Sequence, residues 1–224
     1  MNASAATLRA PQSSAETIDG PAGRLELRIE TPEPDAGEAL AVVCHPHPLH
    51  QGTMDNKVVH TLARSCNRLG VPSVRFNFRG VGGSEGRYGE GDGELDDTLA
   101  VIDDACRRWP GRALWLLGFS FGGVIAARAA GMRRTARLVT VAPAVTRLAL
   151  DFDAARMPPW LLVQGGSDDV VPTADVVDWV RRHPDGPRLE LIDAAGHFFH
   201  GHLTALRDVV TAFLESSGDT GRGS

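Results

Sequence analysis

The sequence predicts one α/β domain, a mostly parallel twisted sheet of about eight strands with helices on both faces. Three observations support this fold class. Short apolar runs of strand length alternate along the chain with segments of helical periodicity. One such run, residues 114–117, leads through Gly118-Phe119-Ser120-Phe121-Gly122 into an alanine-rich helix. Two later strands end in loops that carry an aspartate and a histidine.

Composition and charge indicate an ordinary globular protein. The 224 residues are 42% hydrophobic and 23% charged, with a formal net charge of -5. A chain of this size can bury a large core in a single domain. The acidic balance disfavours nucleic acid as a partner, because phosphate binding needs a basic surface. No apolar run reaches membrane-spanning length, so we expect no membrane partner either.

The sequence predicts polar tails at both ends of the domain. We expect a loose N-terminal tail over residues 1–14, the domain over residues 15–215 and a polar C-terminal tail over residues 216–224. The first residues lack the basic and apolar segments of a signal peptide. The three cysteines are widely spaced, which predicts reduced thiols and a cytoplasmic protein.

Periodicity gives the order of the elements. Alternating apolar residues over 24–30, after a glycine-rich turn, predict an antiparallel hairpin near a sheet edge. The later apolar runs are continuous, as in strands covered on both faces. These strands are predicted at 39–44, 71–78, 114–117, 137–142, 160–165 and 188–192, and the helices at 56–69, 94–109, 124–130, 173–182 and 203–214. The segment 143–158 is too short for a substantial lid domain.

The pentapeptide around Ser120 is a candidate nucleophile elbow. Gly-x-Ser-x-Gly between a strand and a helix forms a turn so tight that only glycine fits two residues either side of the serine. An ordinary serine in a glycine-rich turn is the simpler interpretation. We prefer the catalytic one because Asp168 and His197 each follow a predicted strand downstream. In a parallel sheet such loops open at one carboxyl edge, and the order Ser, Asp, His accompanies this elbow.

Further motifs make a family resemblance specific. They are His45-Pro46-His47-Pro48, Asn56-Lys57-Val58-Val59, Phe76-Asn77-Phe78-Arg79-Gly80, Asp168-x-x-Val171-Pro172 and Gly196-His197-Phe198-Phe199-His200-Gly201. From about residue 15 to about residue 214 the sequence resembles the α/β-hydrolase superfamily, and more narrowly the small lidless hydrolases related to dienelactone hydrolase. The resemblance implies that Ser120, Asp168 and His197 form a catalytic triad, with His197 as base and then acid.

Neighbouring residues are rivals for two of these roles. The family pattern places its acid three residues before the valine of Val-Pro, which favours Asp168 over Asp169. We expect Asp169 to cap the following helix. His200 and His202 compete with His197, but they fall at the start of the last helix, where a surface or packing role is commoner.

An oxyanion hole needs two backbone N–H donors. In the fold that the sequence resembles, the residue after the nucleophile supplies one, here Phe121. The second comes from the loop after strand 39–44, where proline has no N–H and His47 or Leu49 remains. We favour His47, with Leu49 as its rival.

The loop histidines and the glycine-rich segment have simpler interpretations than ligand binding. His45, His47 and His50 are not expected to hold a metal, because prolines separate them and the loop has no carboxylate. The segment 80–86 lacks the third glycine of a dinucleotide fingerprint. Candidate substrate-pocket residues are apolar, although core packing explains each phenylalanine equally well: Leu49, Phe119, Phe198 and Phe199.

The sequence therefore predicts a serine hydrolase that cleaves a carboxylic ester, thioester or lactone through an acyl-enzyme, with no cofactor. Its partner would be a small-molecule acyl substrate, short or soluble because no lid covers the cleft, and a homodimer is left open. A peptidase or amidase of the same fold is one alternative. A non-catalytic binding protein that kept the fold is the other.

Overall fold

The structure, a computed structural model, describes residues 10–35 and 37–216, and within them one sheet of eight strands. The strands are β1 (Gln12–Gly20), β2 (Gly23–Thr31), β3 (Ala39–Cys44), β4 (Ser73–Phe76), β5 (Ala113–Phe119), β6 (Arg137–Val141), β7 (Trp160–Gly165) and β8 (Arg188–Ile192). Their order across the sheet is β1-β2-β4-β3-β5-β6-β7-β8. The hairpin β1–β2 joins β4 antiparallel, and the other pairs are parallel.

Helices cover both faces of this sheet. They are α1 (Lys57–Asn67), α2 (Asp92–Arg108), α3 (Phe121–Ala130), α4 (Thr173–Arg181) and α5 (Leu203–Glu215). One core cluster joins α2, α3 and α4 to one face of the sheet, and a second joins α1 and α5 to the other. In β3, Leu40 and Val42 enter the first cluster while Ala41 and Val43 enter the second. Burial on both faces explains why the parallel strands are continuously apolar.

The edge strand β1 begins earlier than predicted. Gln12 pairs with Thr31, so three residues of the predicted tail belong to the hairpin. Most side chains of β1 are exposed, so backbone pairing rather than apolar burial defines the strand. Residues 1–9 and 217–224, on which most of the two tail predictions fall, lie outside the described residues.

The connection between β6 and β7 contains only a short 3₁₀ turn, Ala154–Arg156, within the described residues. The strands therefore carry no lid domain in this connection. In the part of the chain that the structure describes, no helix is both long and apolar enough to cross a membrane.

A buried ion pair fixes the loop after β4. Arg79 binds both oxygens of the fully buried Asp97 carboxylate, from Nε to Oδ2 at 3.0 Å and from Nη2 to Oδ1 at 2.7 Å. A planar guanidinium matches a carboxylate best in this two-point geometry, so the pair holds the loop after β4 against α2. Glu85 of the same loop binds Arg24 on the β1–β2 hairpin.

Candidate active site

Three sequence-predicted residues meet at the carboxyl edge of the sheet. Ser120, Asp168 and His197 lie in the turns after β5, β7 and β8. His197 Nε2 is 3.1 Å from Ser120 Oγ, and His197 Nδ1 is 2.8 Å from Asp168 Oδ2. Their exposures are only 8%, 6% and 4%, respectively. Parallel strand order thus brings together residues that are up to 77 positions apart in the chain.

The turn at Ser120 is strained and depends on its glycines. Ser120 has φ 55° and ψ -119°, a backbone conformation that side-chain-bearing residues rarely adopt. A Cβ on Gly118 would lie 2.1 Å from the Gly122 carbonyl oxygen, and a Cβ on Gly122 would lie 2.3 Å from the His45 carbonyl oxygen. The turn therefore holds Ser120 at the N-terminus of α3, as predicted for a nucleophile elbow.

Four donors hold the Asp168 carboxylate in one orientation. Oδ1 accepts from the Val170 and Val171 N–H groups at 2.9 and 2.8 Å. Oδ2 accepts from His197 Nδ1 and, at 3.1 Å, from Gln164 Nε2. Because the Asp168 carboxylate accepts a hydrogen bond from His197 Nδ1, Nδ1 carries the imidazole proton. Nε2 therefore presents its lone pair to the Ser120 hydroxyl.

Sequence analysis missed Gln164. Its side chain is buried in β7, where Nε2 also donates to the Val171 carbonyl at 3.0 Å. The available signal was one polar residue in the apolar run Trp160–Gly165. A buried amide needs partners, and these partners lie in the loop that carries Asp168.

The rival residues lie away from this chain of hydrogen bonds. Asp169 and His200 are exposed, and His202 is the N-cap of α5 without a side-chain capping bond. The expectation that Asp169 caps α4 is wrong. The N-cap of α4 is Pro172, which has no capping side chain, because the residues after Asp168 fold back onto its carboxylate.

His45 anchors the loop after β3. Its ring is fully buried, donates from Nδ1 to the Pro46 carbonyl at 2.6 Å and accepts the Phe78 N–H at Nε2 at 3.0 Å. Burial lowers the pKa of His45 to about 4, so the ring is neutral and its tautomer is fixed. Among the described residues, no three histidine, cysteine or carboxylate side chains form a candidate metal site.

The backbone of this loop distinguishes the two oxyanion candidates. The Leu49 N–H donates to His47 Nδ1 at 3.2 Å, so it is engaged within the loop. No described residue accepts a hydrogen bond from the His47 N–H. Phe121 is the first residue of α3, where N–H groups have no intrahelical acceptor. The centroids of the His47 and Phe121 rings are 5.0 Å apart, so the two residues lie side by side at the cleft.

Tyr88 is a further residue that sequence analysis missed. Its hydroxyl lies 3.2 Å from His47 Nε2, and its ring packs 5.0 Å from the His47 ring. Since His47 Nδ1 accepts from Leu49, Nε2 carries the proton and donates to Tyr88 Oη. Burial raises the pKa of Tyr88, and nearby Glu94 raises it further. Glu94 also accepts the Gly89 N–H at 2.8 Å, which fixes the loop beside Tyr88.

A cleft of about 580 Å³ opens over Ser120. Polar side chains of the loop after β3 form one wall: His47, His50, Gln51 and Asn56. The loops after β6 and β7 contribute an apolar surface and one cation: Ala144, Arg147, Leu148, Val170 and Val171.

Of the four predicted pocket residues, only Phe198 lines this cleft. The expectation fails for Leu49, Phe119 and Phe199. Leu49 points into solvent on the turn Pro48–His50 and is 66% exposed. Phe119 and Phe199 are fully buried in the core formed with α1 and α5, and Phe119 packs its ring 4.9 Å from that of His197.

Comparison with known proteins places the chain in a family. The family model described as serine aminopeptidase, S33, matches residues 38–160. An uncharacterized protein of Rickettsia prowazekii (strain Madrid E) is 37% identical over 209 residues, which are 88% of this chain and 87% of that protein.

Two solved structures are similar over almost the whole chain. An alpha-beta serine hydrolase homologue from Coxiella burnetii is 42% identical with a TM-score of 0.85, covering 90% of this chain and 97% of that one. An α/β serine hydrolase without a lid from Xanthomonas campestris is 38% identical with a TM-score of 0.84, covering 91% and 94%. The chain therefore belongs to the α/β serine hydrolase superfamily, in the branch that lacks a lid.

Proposed function

We propose that this hydrolase cleaves a carboxylic ester, thioester or lactone through an acyl-enzyme on Ser120. The observation that carries the proposal is the continuous chain of hydrogen bonds from Ser120 through His197 to Asp168, with distances of 3.1 and 2.8 Å. This chain ends in a cleft large enough for a small acyl compound.

In the proposed mechanism, His197 moves the protons. Nε2 takes the hydroxyl proton as Ser120 Oγ attacks the carbonyl carbon, and Asp168 stabilises the imidazolium. The carbonyl oxygen becomes negative and accepts from the Phe121 and His47 N–H groups, each such donor being worth about 10²- to 10³-fold in rate. His197 then protonates the leaving alcohol or thiol. Water attacks the acyl-enzyme by the same route and releases the acid.

An aminopeptidase is the second candidate, because the matching family model carries that description. An aminopeptidase binds the ammonium group of its substrate, for which a carboxylate is the natural partner. Among the described residues that line the cleft, none is an aspartate or glutamate. The charged lining residue is Arg147, which would repel an ammonium group. The cleft therefore favours a neutral or anionic acyl substrate.

Three matched substrates test this proposal: 4-nitrophenyl butyrate, its 4-nitroanilide counterpart and alanine 4-nitroanilide. We expect rapid hydrolysis of the ester and little or none of the two anilides. Asp168→Asn keeps the side-chain size but favours the wrong imidazole tautomer, so ester turnover should fall about 10⁴-fold.

Three outcomes contradict the proposal. Preferential hydrolysis of alanine 4-nitroanilide assigns the site to the aminopeptidase alternative. Equal ester turnover by the wild type and Asp168→Asn removes the triad from the mechanism. A wild type inert towards all three substrates points to the binding protein.

A further inference from the structure

The cleft is lined by an arginine in an acidic protein. The chain carries a formal net charge of -5, yet Arg147 is the charged side chain among the described residues that line the cleft. The other titratable lining residues are Tyr88 and three histidines. Burial lowers the pKa of His47; His50 and Arg147 lower it further, and Glu94 acts in the opposite direction. Arg147 is thus the cation that lines the cleft directly, while the carboxylates of Asp168 and Glu94 lie behind His197 and Tyr88.

Arg147 is held in place but keeps free donors. Its Nη2 donates to the Val170 carbonyl at 2.7 Å, in the loop that carries Asp168. Its backbone N–H donates to the Ala144 carbonyl at 3.0 Å, and the Ala144 N–H reaches the Ser120 carbonyl at 3.3 Å. These contacts connect Arg147 to both sides of the reacting centre.

Other arginines near this edge of the sheet are neutralised by carboxylates. Arg79 pairs with Asp97 at 2.7 Å, and Arg128 pairs with Asp92 at 2.6 Å. No carboxylate of the described residues lies within 4 Å of the Arg147 guanidinium. The Val170 carbonyl takes one of the two Nη2 hydrogens. The other Nη2 hydrogen, together with the Nε or Nη1 hydrogen on its side, can therefore donate two parallel hydrogen bonds to a carboxylate.

We propose that Arg147 binds a carboxylate of the substrate, so that the substrate class is the half-ester or half-thioester of a short dicarboxylic acid. This inference rests on the proposed function of Ser120. The reacting carbonyl lies at Ser120, the carboxylate pairs with Arg147, and the methylene groups between them contact Ala144 and Leu148, which also line the cleft.

A pair of esters of equal length tests the inference. The two esters are monomethyl adipate, whose acyl chain ends in a carboxylate, and methyl hexanoate, whose acyl chain ends in a methyl group. The acid that each reaction releases is followed by titration at constant pH. The wild type should prefer the adipate in kcat/KM by about tenfold, as expected for charge-assisted hydrogen bonds. The preference should appear in KM and should weaken as salt is raised, because Arg147 is exposed.

Variants assign the preference to one side chain. Arg147→Met should reduce the ratio of the two kcat/KM values towards one, and Arg147→Lys, which keeps the charge but loses the planar fork, should retain part of it. The matched control is Arg156→Met, which removes an exposed arginine from the same connection outside the cleft and should leave the ratio unchanged. A ratio of one in the wild type, or an undiminished ratio in Arg147→Met, overturns the inference while leaving the esterase proposal intact.

Binding without turnover separates the two proposals. In Ser120→Ala, calorimetry should detect monomethyl adipate binding that Arg147→Met removes in the double variant. If the wild type hydrolyses neither ester but this binding is found, the proposed reaction fails and the carboxylate site stands. If Ser120→Ala binds the adipate no better than methyl hexanoate, the carboxylate site is refuted.

Discussion

At the residue scale, groups that do not react hold the reacting ones in position. Gln164 and two backbone N–H groups fix Asp168, which in turn fixes the tautomer of His197. On the opposite wall, Tyr88 accepts from His47, whose backbone N–H is a proposed oxyanion donor. Each of these contacts is a single hydrogen bond, and a hydrogen bond of this kind contributes about 1 kcal/mol.

The first prediction concerns Gln164 as a positioning residue. Gln164→Met fills a similar volume but removes the donors to Asp168 Oδ2 and to the Val171 carbonyl. We expect kcat to fall about tenfold with little change in KM, since the substrate does not touch residue 164. Steady-state kinetics on 4-nitrophenyl butyrate measure both constants.

Gln164→Glu is the matched comparison, because it places a second carboxylate beside Asp168. Repulsion between the two carboxylates should disfavour the state in which both are ionised and shift the acid limb of the pH–rate profile upwards. A purely structural role would lower stability and leave the profile in place. An unchanged profile together with an unchanged kcat in Gln164→Met would remove Gln164 from the positioning of Asp168.

At the element scale, His45 connects the loop after β3 to the end of β4. Its two ring nitrogens bond to Pro46 and Phe78, so the loop that carries His47 cannot move independently of the sheet. Gly52 closes the same loop, since a Cβ there would lie 2.1 Å from the Pro46 carbonyl oxygen. The His47 N–H, the proposed oxyanion donor of this loop, is thereby fixed before a substrate binds, as electrostatic stabilisation requires.

The second prediction is a pH dependence of stability that originates in His45. Its pKa is about 4 in the fold, against about 6.5 in an unfolded chain, so between these values the unfolded state binds more protons. Stability therefore rises with pH across this window. The contribution is complete above about pH 6.5 and is lost as pH falls to about 4, and its size is roughly 3 kcal/mol.

Urea unfolding of the wild type and His45→Gln between pH 4.5 and 7 measures this contribution. Glutamine keeps one donor and one acceptor but does not titrate, so the variant should show a shallower increase of unfolding free energy with pH. The pKa of His45 can also be followed directly by NMR. Parallel pH curves for the two proteins, or titration of His45 near its ordinary value, would contradict the account of this loop.

The predictability of an element follows from how it is buried. The bounds of β3 and β7 follow from the sequence because all their residues are buried and the apolar runs mark both ends. The start of β1 does not, because its exposed polar residues give no apolar signal and only pairing with β2 defines it. Helix α2 begins at Asp92, two residues before the periodic segment, because Glu94 accepts the Gly91 N–H at 2.8 Å.

The residues of the candidate site also divide into those that the sequence pattern predicts and those that only contacts in the fold define. Ser120, Asp168 and His197 could be placed together from sequence because each follows a strand of one parallel sheet. Gln164 and Tyr88 could not, since their roles depend on side-chain contacts across separate loops. Phe119 was misplaced because an apolar residue beside a nucleophile can face either side of its strand, and here it faces α1 and α5.

At the scale of the whole molecule, strand order decides where chemistry can occur. The loops that follow β3 to β8 open at one edge, while the β1–β2 hairpin extends the sheet beside β4, away from Ser120. Two core clusters hold the sheet from opposite faces, so the edge is rigid and the cleft is shaped by loops. The described connection between β6 and β7 carries no lid domain over this cleft.

The most direct test of the account is the reaction of the intact protein with a fluorophosphonate, followed by mass spectrometry. An activated serine attacks phosphorus and displaces fluoride, so we expect one adduct, located on Ser120. Labelling should vanish in Ser120→Ala and should slow by at least about a thousandfold in His197→Ala, the scale expected for loss of a triad member. Absence of an adduct in the wild type, or labelling that persists in Ser120→Ala, would contradict the central claim that Ser120 is the nucleophile.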